Sequence, residues 1–564
     1  MIVKKTRESG ALACAQRQDS ESHQFQHRAL ACAVVTAMTA FAAPMASAFE
    51  FNTGVEDLKI RWDNTIKYSA AWRVKDQSSK LTGDANQDDG DRNFDKGMIS
   101  NRMDLFSEFD LTKNNMGLRV SGAGWYDSIY NRKNDNDSPF TNNSRSVDYN
   151  EFTSETEKLH GRKAELLDAF VFGKTEIGDM PTTIRVGQHT VLYGESLFYG
   201  ANGIAGGQAP TDIVKLLSVP GTQFKELVRP VPQISGQIQL RDNLALGAYY
   251  QVHWEADRLP AAGSYFSTVD ILDDGGEQIL AGPGSSFIRG KDKKASNSGQ
   301  GGLQLRFRPE DIDGEFGLYA IQYNAKSPVV HASLSPAFAP DTYELVYPEK
   351  IKALGVSFST TVGDTNVAGE FSVRDNMPLV PHAGSVTVLP GEQINNNNHP
   401  LYPVGRTAHG QVSWIALLDA GPLWEGGNFL GEVAWNRRLS ITKNADALDP
   451  NATRDAGAVR MIFEPAYYQV LDGVDLTVPI GVGYGLFGKS SVINPGFSVN
   501  HGGDFSVGLK ADYLKTWKLS LMYTTFFGTE ETGVVPANSA DQSYSYDQSL
   551  KDRDFIAFSV QRSL

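Results

Sequence analysis

The chain is almost without cysteine. Its 564 residues hold two, Cys14 and Cys32, both near the N-terminus. It is also short of long apolar runs. Residues 29–43 form one, and no later stretch stays apolar for the roughly 18 residues that a membrane helix needs. Basic residues are scarce: 52 Lys+Arg stand against 66 Asp+Glu, a net charge of −14. An acidic chain with no basic stripe is a poor match for nucleic acid, so that partner class is excluded. Two catalytic signatures are missing as well, the G-x-S-x-G elbow and the H-E-x-x-H helix.

The one apolar run reads as a leader. Arg28 precedes it, and Pro44-Met45-Ala46-Ser47-Ala48 supplies a small-residue cleavage site. Cleavage is expected after Ala48, leaving residues 49–564 as a single unit that begins at Phe49. Both cysteines go with the leader, so disulfides, thiolate catalysis and cysteine metal sites are excluded from the mature chain. Removing the leader's five Lys/Arg and three Asp/Glu leaves 47 basic and 63 acidic residues, a net charge of −16.

What the chain has in quantity is alternation. Ile234, Gly236, Ile238 and Leu240 fall on one face of a strand, with Ser235, Gln237 and Gln239 on the other. After Arg241-Asp242-Asn243, the residues Leu244, Leu246, Ala248, Tyr250, Val252 and Trp254 share a face. Period-two patterning over about ten residues is what a tilted membrane strand requires. Met103, Leu105, Phe109 and Leu111 repeat the pattern, as do Leu354, Val356 and Phe358. So do Phe505, Val507, Leu509, Ala511 and Tyr513, answered by Trp517, Leu519, Leu521 and Tyr523.

Eighteen strands are expected (a count of 16–18). They begin near residues 58, 102, 116, 163, 182, 233, 244, 300, 314, 351, 366, 407, 428, 457, 474, 503, 517 and 553. Long polar connections follow the odd strands and short turns follow the even ones. A soluble β-sandwich or propeller would not place every long loop at one parity, and no 40-residue repeat is visible. The fold class predicted is all-β, a closed antiparallel transmembrane barrel of the bacterial outer membrane, with both termini on the short-turn, periplasmic side. At the C-terminus Ile556, Phe558, Val560 and Leu564 alternate as in a closing strand. Arg562, in the outward register, departs from that pattern.

The third long connection, 195–232, differs from the rest. It is less charged, and it carries Ile204, Ile213, Val214, Leu216, Leu217 and Val219, which are poorly placed in water. A helix-like piece, 211–217, lies between a Gly/Ala/Pro entrance and the Pro220-Gly221 break. An 18-strand barrel with nothing inside it leaves an aqueous channel. The connection is therefore expected to fold inward as a lumen loop or plug.

Several segments carry a family likeness. These are residues 88–94 (Asp-Asp-Gly-Asp-Arg-Asn-Phe), Gly187-Gln188 leading to Tyr193-Gly194-Glu195-Ser196, Pro210 and Asp212, Lys225-Glu226 with Pro230-Val231-Pro232, and Ser264-Tyr265-Phe266 with Asp270. In these the chain resembles the proteobacterial domain-of-unknown-function 1302 family along nearly all of the mature sequence. Tyr193 stands where that family often has tryptophan. The resemblance implies an outer-membrane barrel working with a periplasmic lipoprotein-carrier-like protein and an inner-membrane efflux-type transporter. It implies a hydrophobic cargo, such as lipids or sterol-like or aromatic compounds.

The candidate site residues follow from loop position and family motif. Glu195, Asp212, Lys225 and Glu226 are expected as polar lining of a constriction, with Tyr193 and Phe198 as apolar contacts. The run Asp84-x-Asn86-x-Asp88-Asp89-Gly90-x4-Asp95 superficially suggests a calcium loop. Its glycine is one place late and no glutamate closes it, so the EF-hand reading fails. Asp84, Asn86, Asp88 and Asp95 stay as weak candidates. No cofactor is expected. The function expected is passage of a hydrophobic small molecule or lipid across the outer membrane. The alternatives are a general aqueous porin and, less favoured, a barrel-embedded lipid hydrolase using residues such as Ser196, His189 and Asp212.

Overall fold

The computed structural model describes residues 49–564 except 52–53, 220–222, 397–398 and 540. The predicted leader, its cleavage site at Ala48 and the Pro220-Gly221 break lie outside the described residues.

One antiparallel sheet of 20 segments dominates. The segment Phe49–Phe51 pairs on the first strand. Val474–Thr477 and Ile480–Phe487 are one strand interrupted at Val478-Pro479. The wall therefore has 18 strands. Each pairs with its sequence neighbours, and the last, Phe555–Ser563, pairs back onto the first, Leu58–Arg73, closing the ring. Proline at 479 explains the interruption, since it has no N–H to give to a ladder.

The period-two pattern sorts side chains as a membrane barrel must. Outward positions are apolar and exposed: Ile184 and Val186 on the fifth strand (Met180–His189), Val356 and Phe358 on the tenth (Ile351–Val362), Phe371 and Val373 on the eleventh (Thr365–Pro378). The positions between them are polar or small, including Arg185, Ser357, Glu370 and Ser372. Arg562 lies in the outward register opposite Trp517, with its guanidinium over the Trp517 ring, 5.0 Å from the centroid.

Nine long connections leave one end of the barrel and eight short turns close the other, at the parity expected. The long connections are more ordered than polar loops need be. The fourth, fifth and sixth build a five-stranded sheet of their own. Its order is Ser385–Val388, Val329–Leu334, Pro340–Val346, Ser286–Arg289, Gln278–Leu280. That sheet corrects the reading of Trp254. The seventh strand ends at Gln251. Trp254 is buried with Tyr343, Leu345 and Tyr347 of the loop sheet, and its indole N–H donates to the Ala325 carbonyl at 3.1 Å. It does not continue the strand face of Leu244, Leu246, Ala248 and Tyr250.

Candidate functional site

The third connection runs from the fifth strand to the sixth (Val231–Arg241), yet its residues 193–204 bond to the eleventh through thirteenth strands, and Tyr193 packs on Tyr319 of the ninth. Glycine makes the approach possible. Gly194 has φ +87°, and a Cβ on either Gly194 or Gly203 would collide with the Glu370 carboxylate.

Two wall carboxylates hold this stretch. Glu370 accepts from the Glu195 amide (2.7 Å), the Ile204 amide (2.8 Å) and the Ser196 hydroxyl (2.9 Å). Glu432, on the thirteenth strand (Gly426–Lys443), accepts from the amides of Leu197 (3.2 Å), Phe198 (2.5 Å) and Tyr199 (2.7 Å). The Arg374 guanidinium takes the opposite poles, donating to the carbonyls of Ala201, Asn202 and Gly203. His409 and Gln411, on the twelfth strand (Val404–Leu418), bond the Asn202 side chain. Each carboxyl group thus satisfies three donors of the loop, and a buried N–H stripped of its partner costs about 1–3 kcal/mol.

Alternation places Glu370, Arg374, His409, Gln411 and Glu432 on the face opposite the exposed Phe371, Val373, Val412 and Val433. They are therefore lumen-side groups, and all five are buried. Sequence reasoning missed them. The available signal was a charged residue at an inward position beside small or apolar ones, as in Gly369-Glu370-Phe371 and Gly431-Glu432-Val433.

Of the residues singled out from sequence, three gather here. Tyr193 is buried against Tyr249 and Tyr319, with ring centroids 5.4 and 5.9 Å away. Glu195 and Phe198 hang from the two carboxylates. Asp212 sits elsewhere. It caps the helix Ile213–Ser218 by accepting from the Lys215 amide at 2.9 Å, and it pairs with Arg258 at 2.8 Å. Lys225 and Glu226 are exposed on a 3-10 turn and are not brought to Tyr193, Glu195 or Phe198.

The family-like motifs of the first and fourth connections meet at a second place, the junction of the outer loops. Arg73 pairs with Asp91 (2.6 Å) and Asp552 (3.0 Å), and Arg553 reaches Asp91 at 3.2 Å. Both guanidiniums lie over the Tyr265 ring, at 5.9 and 5.7 Å from its centroid. Phe94, Tyr130 and Phe152 pack around them. Burial pushes the Asp91 carboxyl up, and the Arg553 and Arg73 charges more than offset this, leaving it below the usual carboxylate range. Beside this cluster Asp88, Asp89 and Asp270 are buried together.

The weak calcium candidates are used as internal ties. Asp84 accepts from the Asn86 and Asn538 amides, Asp88 pairs with Arg92 at 2.6 Å, and Asp95 accepts from Gln77. Asn86 bonds the Leu280 backbone. Among the described residues no group of three or more His, Cys, Asp or Glu is placed to hold a metal ion.

The hydrolase candidates do not meet. The Ser196 hydroxyl is shared between Glu370 and Gln411. His189 bonds Gly187 and Ser235. Asp212 serves Arg258 and Lys215.

A closed wall with an apolar outer face and a polar, charged inner one defines a transmembrane β-barrel of the outer-membrane type. The chain belongs to the family described as "Protein of unknown function (DUF1302)", which matches residues 29–564. No curated protein matches it. Among solved structures it is similar to Pseudomonas aeruginosa OpdK crystallised with vanillate, at 10% identity over 90% of this chain and 99% of that one, with a TM-score of 0.38. Acinetobacter baumannii OccAB4 gives 9% identity, 90% and 98% coverage and a TM-score of 0.40. The outer membrane channel DcaP of Acinetobacter baumannii gives 11% identity, 92% and 100% coverage and a TM-score of 0.37.

Proposed function

We propose that this barrel passes a hydrophobic small molecule or lipid across the outer membrane, and that residues 193–204 form its constriction. One observation carries the reading: that stretch is bonded to lumen-side Glu370, Arg374 and Glu432, on the strands across from its own ends. Selectivity then comes from the width and lining of the remaining passage, with no bond chemistry required. A periplasmic lipoprotein-carrier-like protein and an inner-membrane efflux-type transporter belong to the same reading, as donor or acceptor of the cargo.

The test is conductance in planar bilayers, with uptake of a hydrophobic fluorophore by proteoliposomes. Wild-type protein is expected to pass little ion current while carrying the fluorophore. Glu370→Ala with Glu432→Ala should raise the current several-fold by releasing the loop. A large, unselective wild-type current would make the protein a general aqueous porin. Lipid hydrolysis lost on Ser196→Ala would make it an enzyme.

A further inference from the structure

The loop stretch covers the ninth to thirteenth strands and leaves a different wall open. Between the turn residue Asn115 at the short-turn end and residues 190–193 of the third connection lies a cavity of about 980 Å³. Its upper boundary is loop, through Thr190, Val191, Leu192 and Tyr193. Its sides are the fourth to eighth strands, which present Gln237, Gln239, Gln304, Thr183 and Ser235. Three cations line it, Lys174, Arg185 and Arg306, against one carboxylate, Glu176.

The charge balance is unusual for a chain with an overall charge of −14. Arg306 is already paired with Glu315. Among the described residues no carboxylate lies within ion-pairing distance of Lys174 or Arg185. The two sit on neighbouring strands, with Lys174 opposite Thr183 and Arg185 opposite Phe172, so they are diagonal neighbours on one face. The Arg185 guanidinium also lies 5.9 Å from the centroid of the Phe170 ring. At the other end of the cavity Leu192 is 37% exposed. One end of the chamber is therefore cationic and the other apolar. A volume of this order takes a molecule of drug size.

We infer that this chamber binds an amphiphilic organic carboxylate, its anionic head on Arg185 and Lys174 and its apolar body against Val191–Tyr193. The inference rests on reading the barrel as a passage and narrows the cargo to molecules with a negative head. Guanidinium presents a fork that matches a carboxylate with two parallel bonds, and ammonium adds a point charge beside it.

Binding is measured on the purified full-length barrel in non-ionic detergent by calorimetry. The probes are 1-naphthoate and its neutral analogue 1-naphthalenemethanol. Wild-type protein is expected to bind the carboxylate about tenfold or more tightly than the alcohol, the scale of a charge-assisted bond. Arg185→Gln with Lys174→Gln should abolish that preference and leave the alcohol unchanged. Should the double variant misassemble, judged by heat-modifiable gel mobility, Arg185→Glu alone serves. It should shift preference toward 1-naphthylmethylammonium. Equal binding of both probes, no binding, or a preference that survives these substitutions overturns the inference. Because no transport is measured, preferential binding in a barrel that passes nothing would sink the proposed passage and spare the site.

Discussion

Gly194 and Gly203 are the residues on which the bonding of the third connection turns. Gly194 holds a φ that a side chain disfavours by about 1–2 kcal/mol, and at both positions a methyl group would displace Glu370. Gly194→Ala is therefore expected to mimic Glu370→Ala, raising bilayer conductance in an assembled barrel. Asp88, Asp89 and Asp270 define the second residue-scale feature. Burial, with the Asp88 charge beside it, pushes Asp89 up to about 7, and burial raises Asp88 to about 6 against the pull of Arg92. Burial likewise holds Asp270 well above its ordinary value, with Asp89 and Asp88 adding to the rise. Arg92, which also reaches Asp137, pairs with Asp88, while Asn136, Asn142 and the Asn143 amide face Asp89. A folded-state pKa above the unfolded value of about 3.9 means that the folded junction binds more protons. The contribution of these three carboxyls is full below about 3.9 and is lost as pH rises through about 6–7. The hydrogen-exchange protection of residues 86–94 and 267–271, taken relative to the intrinsic rate at each pH, should be greater at pH 5 than at pH 8. Asp89→Asn with Asp270→Asn should flatten that difference.

At the scale of elements, strands were legible and loops were not. Alternation is a local signal, repeated in each segment, so the starts expected near 58, 116, 244, 300, 314, 351 and 517 agree with the observed ones to within a residue. The strand expected near 102 begins at Gly97, because Gly97–Asn101 continues the ladder through residues whose pattern is broken by a bulge at Ala71/Trp72. The loop sheet was hidden for a different reason. Runs such as Val329-Val330-His331-Ala332 are apolar and β-branched, but they sit inside segments whose overall polarity reads as surface. Glu370 and Glu432 were hidden because a contact between groups well over a hundred residues apart leaves no periodic trace. The Arg73/Asp91/Asp552/Arg553 element makes a prediction of its own. Removing one member of a buried ion cluster strands the others, at a cost of about 3–5 kcal/mol. Asp91→Ala should lower the temperature at which the barrel loses its compact gel mobility, while Asp137→Ala, at an exposed partner of Arg92, should not.

For the whole molecule, the sorting of apolar residues outward and polar ones inward is the main determinant of stability in the membrane. Val356 is exposed near the middle of the tenth strand. Val356→Lys should cost about 2–4 kcal/mol if that position meets the bilayer core. Ser359→Lys, on the lumen face of the same strand and only half-buried, should instead alter current with little change in unfolding. Equilibrium unfolding in lipid vesicles separates the two.

The ties between residues 193–204 and the far wall also dictate an order of assembly. The groups that hold this stretch come 166 to 235 residues later in the chain. The loop therefore waits, unsatisfied, until the eleventh to thirteenth strands exist. The ring then shuts between the first strand and the eighteenth, and Arg73 meets Asp552 at that seam. Docking of the third connection thus requires more than a hundred and fifty further residues of chain, so the segment that narrows the ring is made long before the wall that holds it.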